Sequence, residues 1–450
     1  MMKKITLGEI AEACGGQFIG DKKNLTKCVT NVVIDSRQVT DGSLFVAIKG
    51  ERTDGHLYIE KSYGQGAVCA ISEQILSVDA PYILVRSSKQ AIKDIAEYYR
   101  SLFYNIEVVG ISGSVGKTST KEMIASVLSQ EFIVHKTQGN FNNELGVPLT
   151  LLAMPEDTEV AVIEMGISDF GEMTRLSKMV RPTVCVLTNI GCCHLENLKD
   201  RDGVLKAKTE MFRYKAEDAL IFVNGDDDKL RTVENVTAFY GIGRENDYHA
   251  ENIRNTGENS VFCTMCFGET KLDATIPALG NYMVANALGA AAVGKALNMS
   301  NESIVKGIES YKTVGSRANL VTTELFKIMD DCYNANPTSV KAAIETLCQI
   351  AGGRKAAILG DMKELGENEL ALHAEVGRYA AESGVNALIT VGELAKAISD
   401  NAEGVECYHF DTVKQAIEEL DGILHKGDII LVKASHSMHF EEIVSFLKEL

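Results

Sequence analysis

Between positions 108 and 120 the chain reads Val108-Val-Gly-Ile-Ser-Gly113-Ser114-Val115-Gly116-Lys117-Thr118-Ser119-Thr120. An apolar run of strand character breaks into glycines, then a lysine and a threonine, then a helix-like segment. That order is the layout of a phosphate-binding loop on an α/β sheet, where backbone N–H groups of a Gly-rich turn and a helix start cradle phosphate oxygens. In such a loop Lys117 reaches the terminal phosphates and the Thr118 hydroxyl serves Mg²⁺. The pattern is Gly113-x-x-Gly116-Lys117-Thr118; the longer Gly-x-x-x-x-Gly-Lys-[Ser/Thr] form is not met, because position 111 is Ile. An ordinary strand–turn–helix without a ligand is the alternative.

A chain of 450 residues is too long for one core, so about three domains are expected. With 45% hydrophobic and 24% charged residues it has the composition of an ordinary soluble protein. No stretch approaches the roughly 20 apolar residues of a membrane span, and the start lacks the apolar region of a signal peptide. A cytoplasmic location is expected. The formal net charge of −17 argues against nucleic-acid binding, although it leaves room for a small phosphorylated ligand in a local nest. Eleven cysteines without framework spacing suit reduced thiols. Cys263-x-x-Cys266 looks like half a zinc site, but no second pair follows, and Val261, Cys263, Met265 and Phe267 alternate as one face of a strand.

Three segments emerge. Residues 1–105 carry short apolar runs at 32–35, 43–48, 67–71 and 82–85, then a helical pattern from Lys89 to Phe103: a small α/β unit. From 106 to 317 strands at 107–112, 160–165, 183–189 and 219–223 alternate with helices at 118–130, 171–179, 201–213 and 282–297, as in a parallel sheet covered on both faces. A strand-rich excursion fills 235–279. From 318 to 450 the alternation starts afresh, with strands at 326–330, 355–360, 386–391, 406–409 and 428–432. Helices there read at 338–351, 369–383, 393–400, 412–424 and 439–449. The expected fold class is α/β: a small N-terminal α/β domain, a central P-loop-type parallel sheet with helices, and a C-terminal Rossmann-like doubly wound domain. That last domain lacks a GxGxxG fingerprint.

Ligands gather beyond the carboxyl ends of parallel strands. There the sequence places the phosphate loop, then Glu164 at the end of a neighbouring strand, where a nucleotide-hydrolysing site puts a Mg²⁺ ligand. His194 follows the strand 183–189 and suits a metal ligand or an orienter, or a plain surface histidine. Lys208 lies in a helical stretch, where a lysine is normally solvated. Two Asn-rich loops, with Asn142 and Asn143 in the first and Asn334 and Asn336 in the second, suit a polar ligand. Turn chemistry and a helix start near Asn336 or Thr338 are the plainer readings.

Taken in order, these strings resemble the Mur ligases, ATP-dependent amide ligases of bacterial cell-wall synthesis. Asp35-Ser36-Arg37, Asp54-Gly-His56, Gly113 through Ser119 and Gly139-Asn-Phe-Asn142-Asn143 carry the resemblance. Glu164-Met-Gly166, Thr188-Asn-Ile-Gly through His194-Leu-Glu196, Ala207-Lys208-x-Glu210 and Asn281 through Asn286 continue it. Asp330-Asp331-x-Tyr-Asn334-Ala-Asn336-Pro337, Leu359-Gly-Asp-Met-x-Glu-Leu-Gly366 and His373 complete it. The resemblance covers nearly the whole chain. The Tyr-Asn-Ala-Asn-Pro and Gly-Asp-Met-x-Glu-Leu-Gly strings point to the member that adds D-alanyl-D-alanine to a UDP-N-acetylmuramoyl-tripeptide.

The resemblance implies ATP and Mg²⁺ as cofactors, those two small-molecule substrates, an acyl-phosphate intermediate and a monomer. It makes 1–105 a UDP-substrate domain, 106–317 an ATP-binding ligase domain and 318–450 a C-terminal ligase domain. The catalytic set is Lys117, Lys208 and His194. Gly113, Ser114, Val115, Gly116, Lys117, Thr118 and Ser119 would hold the phosphates, with Asn281, Asn286, Arg317 and Asp331 around the nucleotide. Thr118 and Glu164 would hold one magnesium; His194 and a carbamylated Lys208 would serve a second. Ser36, Arg37, Asn142, Asn143, Asn334 and Asn336 would meet the substrates. Closure of the three domains over the reactants is expected. The late string reads Lys433-Ala-Ser-His436, where the family more often has Lys-Gly-Ser-Arg. Other readings are a related ligase, such as a folylpolyglutamate synthase or the enzyme adding the third residue, and an ATP-gated binding protein.

Overall fold

The computed structural model describes residues 1–51, 53–257 and 259–450. Its strands form three sheets. The first runs Gln17–Ile19, Tyr82–Leu84, Cys69–Ser72, Ser43–Val46, Asn31–Val33, with the edge strand Gln17–Ile19 antiparallel to its neighbour and the others parallel. Helix Ser88–Ser101 follows, capped by the Ser87 side chain accepting from Gln90 N. Its buried positions Ile92, Ile95, Ala96 and Tyr99 recur at helical spacing, so one stripe faces inward.

That stripe joins an apolar core shared with the central unit. Ile5, Ile10, Ile92, Ile95, Tyr99 and Phe103 belong to one buried cluster with Val108, Leu151, Met154, Ile163, Leu176 and Val180. Polar groups seal the same boundary. Tyr99 Oη donates to Met154 O at 2.7 Å, and buried Arg100 donates to Val180 O at 3.0 Å and Phe103 O at 2.9 Å.

The central sheet has nine strands. Glu107–Ser112 lies between Val160–Glu164 and Val184–Leu187, parallel to both. From it the chain passes through helix Lys117–Leu128 to the edge strand Val134–Lys136, returns to Val160–Glu164, then continues on the other side with Val184–Leu187 and Leu220–Asn224. The strand order therefore reverses at Glu107–Ser112, and such a reversal opens a crevice at the strand's carboxyl end. The 235–279 excursion contributes Ala238–Tyr240 and Tyr248–Asn255, which continue the sheet parallel, then Val261–Phe267 and Thr270–Ile276, which extend it antiparallel. Cys263 and Cys266 sit buried in Val261–Phe267 as free thiols, as their alternation suggested. His249, Glu251 and Cys266 do approach one another there, but Glu251 is already paired with Lys271 at 2.9 Å and Arg244 at 3.3 Å.

The C-terminal sheet runs Asn319–Thr322, Lys327–Asp330, Ile429–Lys433, Lys355–Gly360, Ala387–Val391, Glu406–Phe410, parallel except for its first strand. Two apolar clusters pack its two faces. Between helix Asn301–Glu309 and Asn319 the chain has no regular element, and Gly315 and Ala318 take left-handed φ values of 65° and 51°.

Three local expectations shift. The helix expected over 201–213 is α-helical over Arg201–Thr209 and tightens to a 3₁₀ turn over Glu210–Tyr214. Glu210 explains the change: its carboxylate turns back to accept from Gly171 N at 3.0 Å and Thr174 Oγ1 at 2.8 Å. The first Asn-rich loop ends early, because helix Gly146–Leu152 begins inside it, with Pro148 in a first turn where no N–H is needed. The 393–400 helix shrinks to Lys396–Ser399.

Candidate active site

At the carboxyl end of Glu107–Ser112 the glycines are needed for shape. A side chain on Gly113 would meet Thr188 Oγ1 at 1.9 Å, and Gly116, φ 80°, turns the chain into helix Lys117–Leu128. Asn189 ties the loop down, its carbonyl accepting from Ser114 N at 3.0 Å and its side-chain oxygen from Val115 N at 2.8 Å. Among the described residues the amides of Lys117, Thr118 and Ser119 have no protein acceptor. They are the orphan donors of a helix start, ready for an anion. Lys117 Nζ rests on its own loop, donating to Gly113 O at 2.8 Å and Ser114 O at 3.3 Å; burial lowers its pKa.

Beside the loop lies a cluster of oxygens. Glu164 is 1% exposed; it accepts from Thr118 Oγ1 at 2.9 and 3.1 Å and from Asn142 Nδ2 at 2.7 Å. Behind it, fully buried Lys121 stands 3.7 Å from Glu164 Oε2 and 3.1 Å from Glu122 Oε1, and donates to Thr137 O at 2.8 Å. Hard oxygen donors around a buried carboxylate are the set a magnesium ion takes, so these residues fit that ion.

On the far side, Cys193 Sγ contacts Ser114 Oγ at 3.1 Å, and His194 follows in the left-handed region at φ 53°. His194 Nδ1 is 2.5 Å from Glu364 Oε2, a residue of the C-terminal unit. Lys208 is 1% exposed, and among the described residues its ammonium has no hydrogen-bond or ion-pair partner. Burial pushes it down to about 8, with the Lys117 charge acting the same way and Cys193 opposing.

The C-terminal unit supplies the opposite wall. Lys433, 3% exposed at the end of its strand, donates to Asp331 Oδ2 at 2.6 Å and Asn334 O at 2.8 Å. Asp331 Oδ1 accepts from Ala318 N at 3.1 Å. The Arg317 guanidinium lies 4.1 Å from the Tyr333 ring centre, and that ring also neighbours His436, with centroids 5.5 Å apart. Thus His436 builds a stack, with Tyr333 lining the cavity.

A cavity of about 970 Å³ lies between these walls. Of the residues singled out from sequence, it brings together Ser114, Val115, Gly116, Lys117, Thr118, Ser119, Asn142, Asn143, Glu164, His194, Asn286, Arg317, Asp331, Asn334 and Asn336. Gly113 and Lys208 sit behind its surface. Asn281 is replaced at the wall by its neighbour Tyr282. Ser36 and Arg37 lie away from it; Arg37 is exposed and chelated by Asp35, its Nη2 at 2.7 Å from Oδ2. Three amides have structural work. Asn142 bonds Glu164, Asn143 Oδ1 accepts from Gly146 N at 2.8 Å, and Asn336 caps helix Pro337–Gln349 by accepting from Ser339 N at 2.9 Å. Asn286 Oδ1 accepts from Thr120 Oγ1 at 3.0 Å. His373 is a core group whose Nε2 accepts from Met362 N at 2.9 Å. Sequence reasoning missed Lys89 and Lys93, and quoted Lys433 and Glu364 in family strings without giving them a site role; all four reach the cavity. For Lys433 a signal existed: a lysine ending a fully apolar buried strand needs a partner.

With this geometry in hand, comparison with known proteins gives one answer. Profiles for the Mur ligase family catalytic domain, the Mur ligase middle domain and the Mur ligase glutamate ligase domain match residues 28–111, 111–294 and 316–436 in turn. The chain belongs to the Mur ligase family. It is 37% identical to the UDP-N-acetylmuramoyl-tripeptide–D-alanyl-D-alanine ligase of Bacillus subtilis, over 100% of this chain and 99% of that one. The enzyme of the same name from Escherichia coli is 33% identical over 100% and 99%. Among solved structures, MurF from Acinetobacter baumannii superposes with a TM-score of 0.92 at 30% identity, covering all of both chains. MurF ligase from Thermotoga maritima in complex with ADP superposes with a TM-score of 0.84 at 28% identity, covering 93% of this chain and 97% of that one.

Proposed function

We infer that this chain is an ATP-dependent peptide ligase that joins D-alanyl-D-alanine to the terminal carboxylate of a UDP-N-acetylmuramoyl-tripeptide. The observation that carries this reading is the single cavity in which the phosphate loop, the Thr118–Glu164 oxygen cluster and the cationic Lys433 wall face one another. A nucleotide-hydrolysing switch needs the first two; a ligase also needs a wall from another body to bring an amine to an activated acid.

A carboxylate resists amines because its leaving group would be oxide. Transfer of the γ-phosphoryl group of ATP to that carboxylate gives an acyl phosphate; amine attack then releases orthophosphate and forms the amide. The free amides of Lys117, Thr118 and Ser119 bind phosphate oxygens, and Lys117 exchanges its two loop carbonyls for the transferring group, neutralising charge where it develops. Thr118 and Glu164 would hold one Mg²⁺, and His194 with Lys208 a second. Bound there, the ions neutralise phosphate charge and polarise the transferred phosphoryl group. Lys208 fits its part only after modification. Its neutral amine, accessible because burial lowers the pKa to about 8, would add carbon dioxide and release a proton, becoming a carbamate, an oxygen anion. Lys89, on the N-terminal side of the cavity, suits the anionic nucleotide-sugar substrate; its neighbour Lys93 is held by Glu144 at 2.6 Å. Docking of the C-terminal wall excludes water from the acyl phosphate. The proposed working form is a monomer acting in the cytoplasm. The domain limits near 105 and 317 are the proposed boundaries of the three working bodies.

A phosphate-release assay crossing UDP-linked tripeptides with single D-amino acids and dipeptides tests the reading. Release that requires both the tripeptide and D-alanyl-D-alanine is expected. Release at full rate without an acceptor would make the chain an ATP-driven switch.

A further inference from the structure

Two non-glycine residues in the left-handed region face each other across the central and C-terminal units: His194, φ 53°, and Glu364, φ 63°. Such conformations are rare away from glycine and gather at functional or switching sites. The Nδ1–Oε2 distance between them is 2.5 Å. The carboxylate stands off the ring's hydrogen-bonding direction, so Nδ1 makes no aligned bond; the Glu364 side chain, 58% exposed, is free to turn into line. A backbone contact runs beside it, Glu196 N to Glu364 O at 3.5 Å.

Glu364 cannot reach His194 independently of its own domain. Its loop is pinned by Met362 N donating to His373 Nε2 at 2.9 Å, Lys363 N to Ser435 Oγ at 2.9 Å, and Ala395 N to Asp361 Oδ1 at 2.8 Å. The carboxylate therefore arrives when the C-terminal body docks and leaves when it departs. Histidines that ligate metals nearly always give their second ring N–H to a carboxylate, carbonyl or water, which fixes the tautomer and raises ligand basicity.

We propose that Glu364 is the positioning residue for His194, accepting a hydrogen bond from its Nδ1–H across the domain boundary, so that the second cation site is complete only in the docked enzyme. This rests on the reading of His194 as a cation ligand. Held this way, Nε2 is the unprotonated nitrogen, and cation binding and domain docking favour each other.

Mn²⁺ titration followed by electron paramagnetic resonance, on the full chain with adenylyl-imidodiphosphate and bicarbonate, tests it. The native chain is expected to take two ions and H194A one. Glu364→Gly removes the carboxylate while suiting the left-handed turn; it is expected to keep the first ion and the nucleotide affinity but bind the second about 10- to 100-fold more weakly. Glu364→Gln, which keeps an acceptor without the charge, should fall between. Two ions bound with native affinity by both Glu364 variants, with H194A reduced to one, would overturn the positioning role and leave the cation site standing. Two ions in H194A would overturn the His194 reading itself, and the proposal with it.

Discussion

Where the N-terminal sheet meets the central one, side chains from both enter one apolar core, and the buried Tyr99 hydroxyl and Arg100 guanidinium bond across the boundary. Where the C-terminal sheet meets it, the contacts around the cavity are polar and strained, typified by His194 and Glu364, with Leu279 and Tyr282 adding a small apolar patch. Burial of apolar area on the scale of a shared core makes two units fold and move as one. A junction of polar, partly solvated contacts contributes little on its own and depends on what bridges it. The first boundary is thus expected to be rigid and the second to open and close, with the irregular 310–318 segment as its hinge. The chemistry benefits from that division. The phosphate loop and the N-terminal lysines keep their spacing, while the wall that brings Lys433 can admit substrates and then shut out water.

The largest effect should come from the rigid side. Ile95 is fully buried in the shared core; Ile95→Ala is expected to cost about 2–5 kcal/mol. It should lower a melting transition in which the N-terminal and central units unfold together. Separate melting of the two units by calorimetry would break the comparison. Next comes the cavity that the mobile boundary closes. Lys208→Ala removes the buried, unpaired ammonium, so melting should hold steady or rise while ligation falls about 100- to 1,000-fold, the scale of losing one charge-stabilising group. Recovery of turnover on adding short carboxylates would sharpen the carbamate assignment; unchanged ligation would end it.

A smaller loss is expected from Tyr99→Phe, about 1–2 kcal/mol for the two hydrogen bonds of its hydroxyl, donated to Met154 O and accepted from Lys3 N, read as a lower melting temperature with native KM values for both substrates. Smallest is a pH effect on the rim of the rigid junction. Burial alone would raise the Glu144 carboxyl, but hydrogen bonds from Arg175 and Lys93 outweigh it and hold its pKa below the ordinary value of 4.5. A carboxylate depressed by folding adds stability above its unfolded pKa and loses it as pH falls through its folded one. Acidification through and below 4.5 should therefore cost at most about 1 kcal/mol at this rim without separating the two units. Dissociation of the N-terminal unit in that window, seen by protease sensitivity, would mean that ion pairs rather than the core hold the boundary.

Most of the succession of strands and helices was implicit in the chain because strand and helix periods alternate cleanly from 107 onward, and Glu107–Ser112 and Lys355–Gly360 fall on their expected positions; the strand order within the sheets was not. Short edge elements were not legible. Val134–Lys136 is half-buried and too brief to show a period, and helix Gly146–Leu152 is hidden by the polar run that caps it. The phosphate loop announced itself through residues whose identity is dictated by backbone shape. Lys208 did not, since nothing local distinguishes a buried lysine from a solvated one; its isolation is visible only in three dimensions, and its role entered through family resemblance. Asn142 and Asn336 carry structural bonds as well as lining the cavity: one holds Glu164 and the other caps a helix, the plainer reading the sequence already allowed for Asn336. Glu364 was visible only as a letter in a family string; its pairing was not, because its partner lies in another unit, 170 positions earlier by sequence number.

The division between a rigid and a mobile boundary is tested most directly by distances between paired nitroxide labels, measured by pulsed electron resonance with and without adenylyl-imidodiphosphate and the UDP-tripeptide. Cys28 and Cys407 are exposed natural attachment points in the N- and C-terminal units, and exposed Asp218→Cys supplies one in the centre. With Cys407→Ser, the 28–218 pair should give one narrow distance that ligands leave unchanged. With Cys28→Ser, the 218–407 pair should be broad in the free enzyme and collapse to a single shorter distance when both ligands are present. A 218–407 distance that is narrow and unmoved by ligands, or a 28–218 distance that shifts with them, would contradict the account.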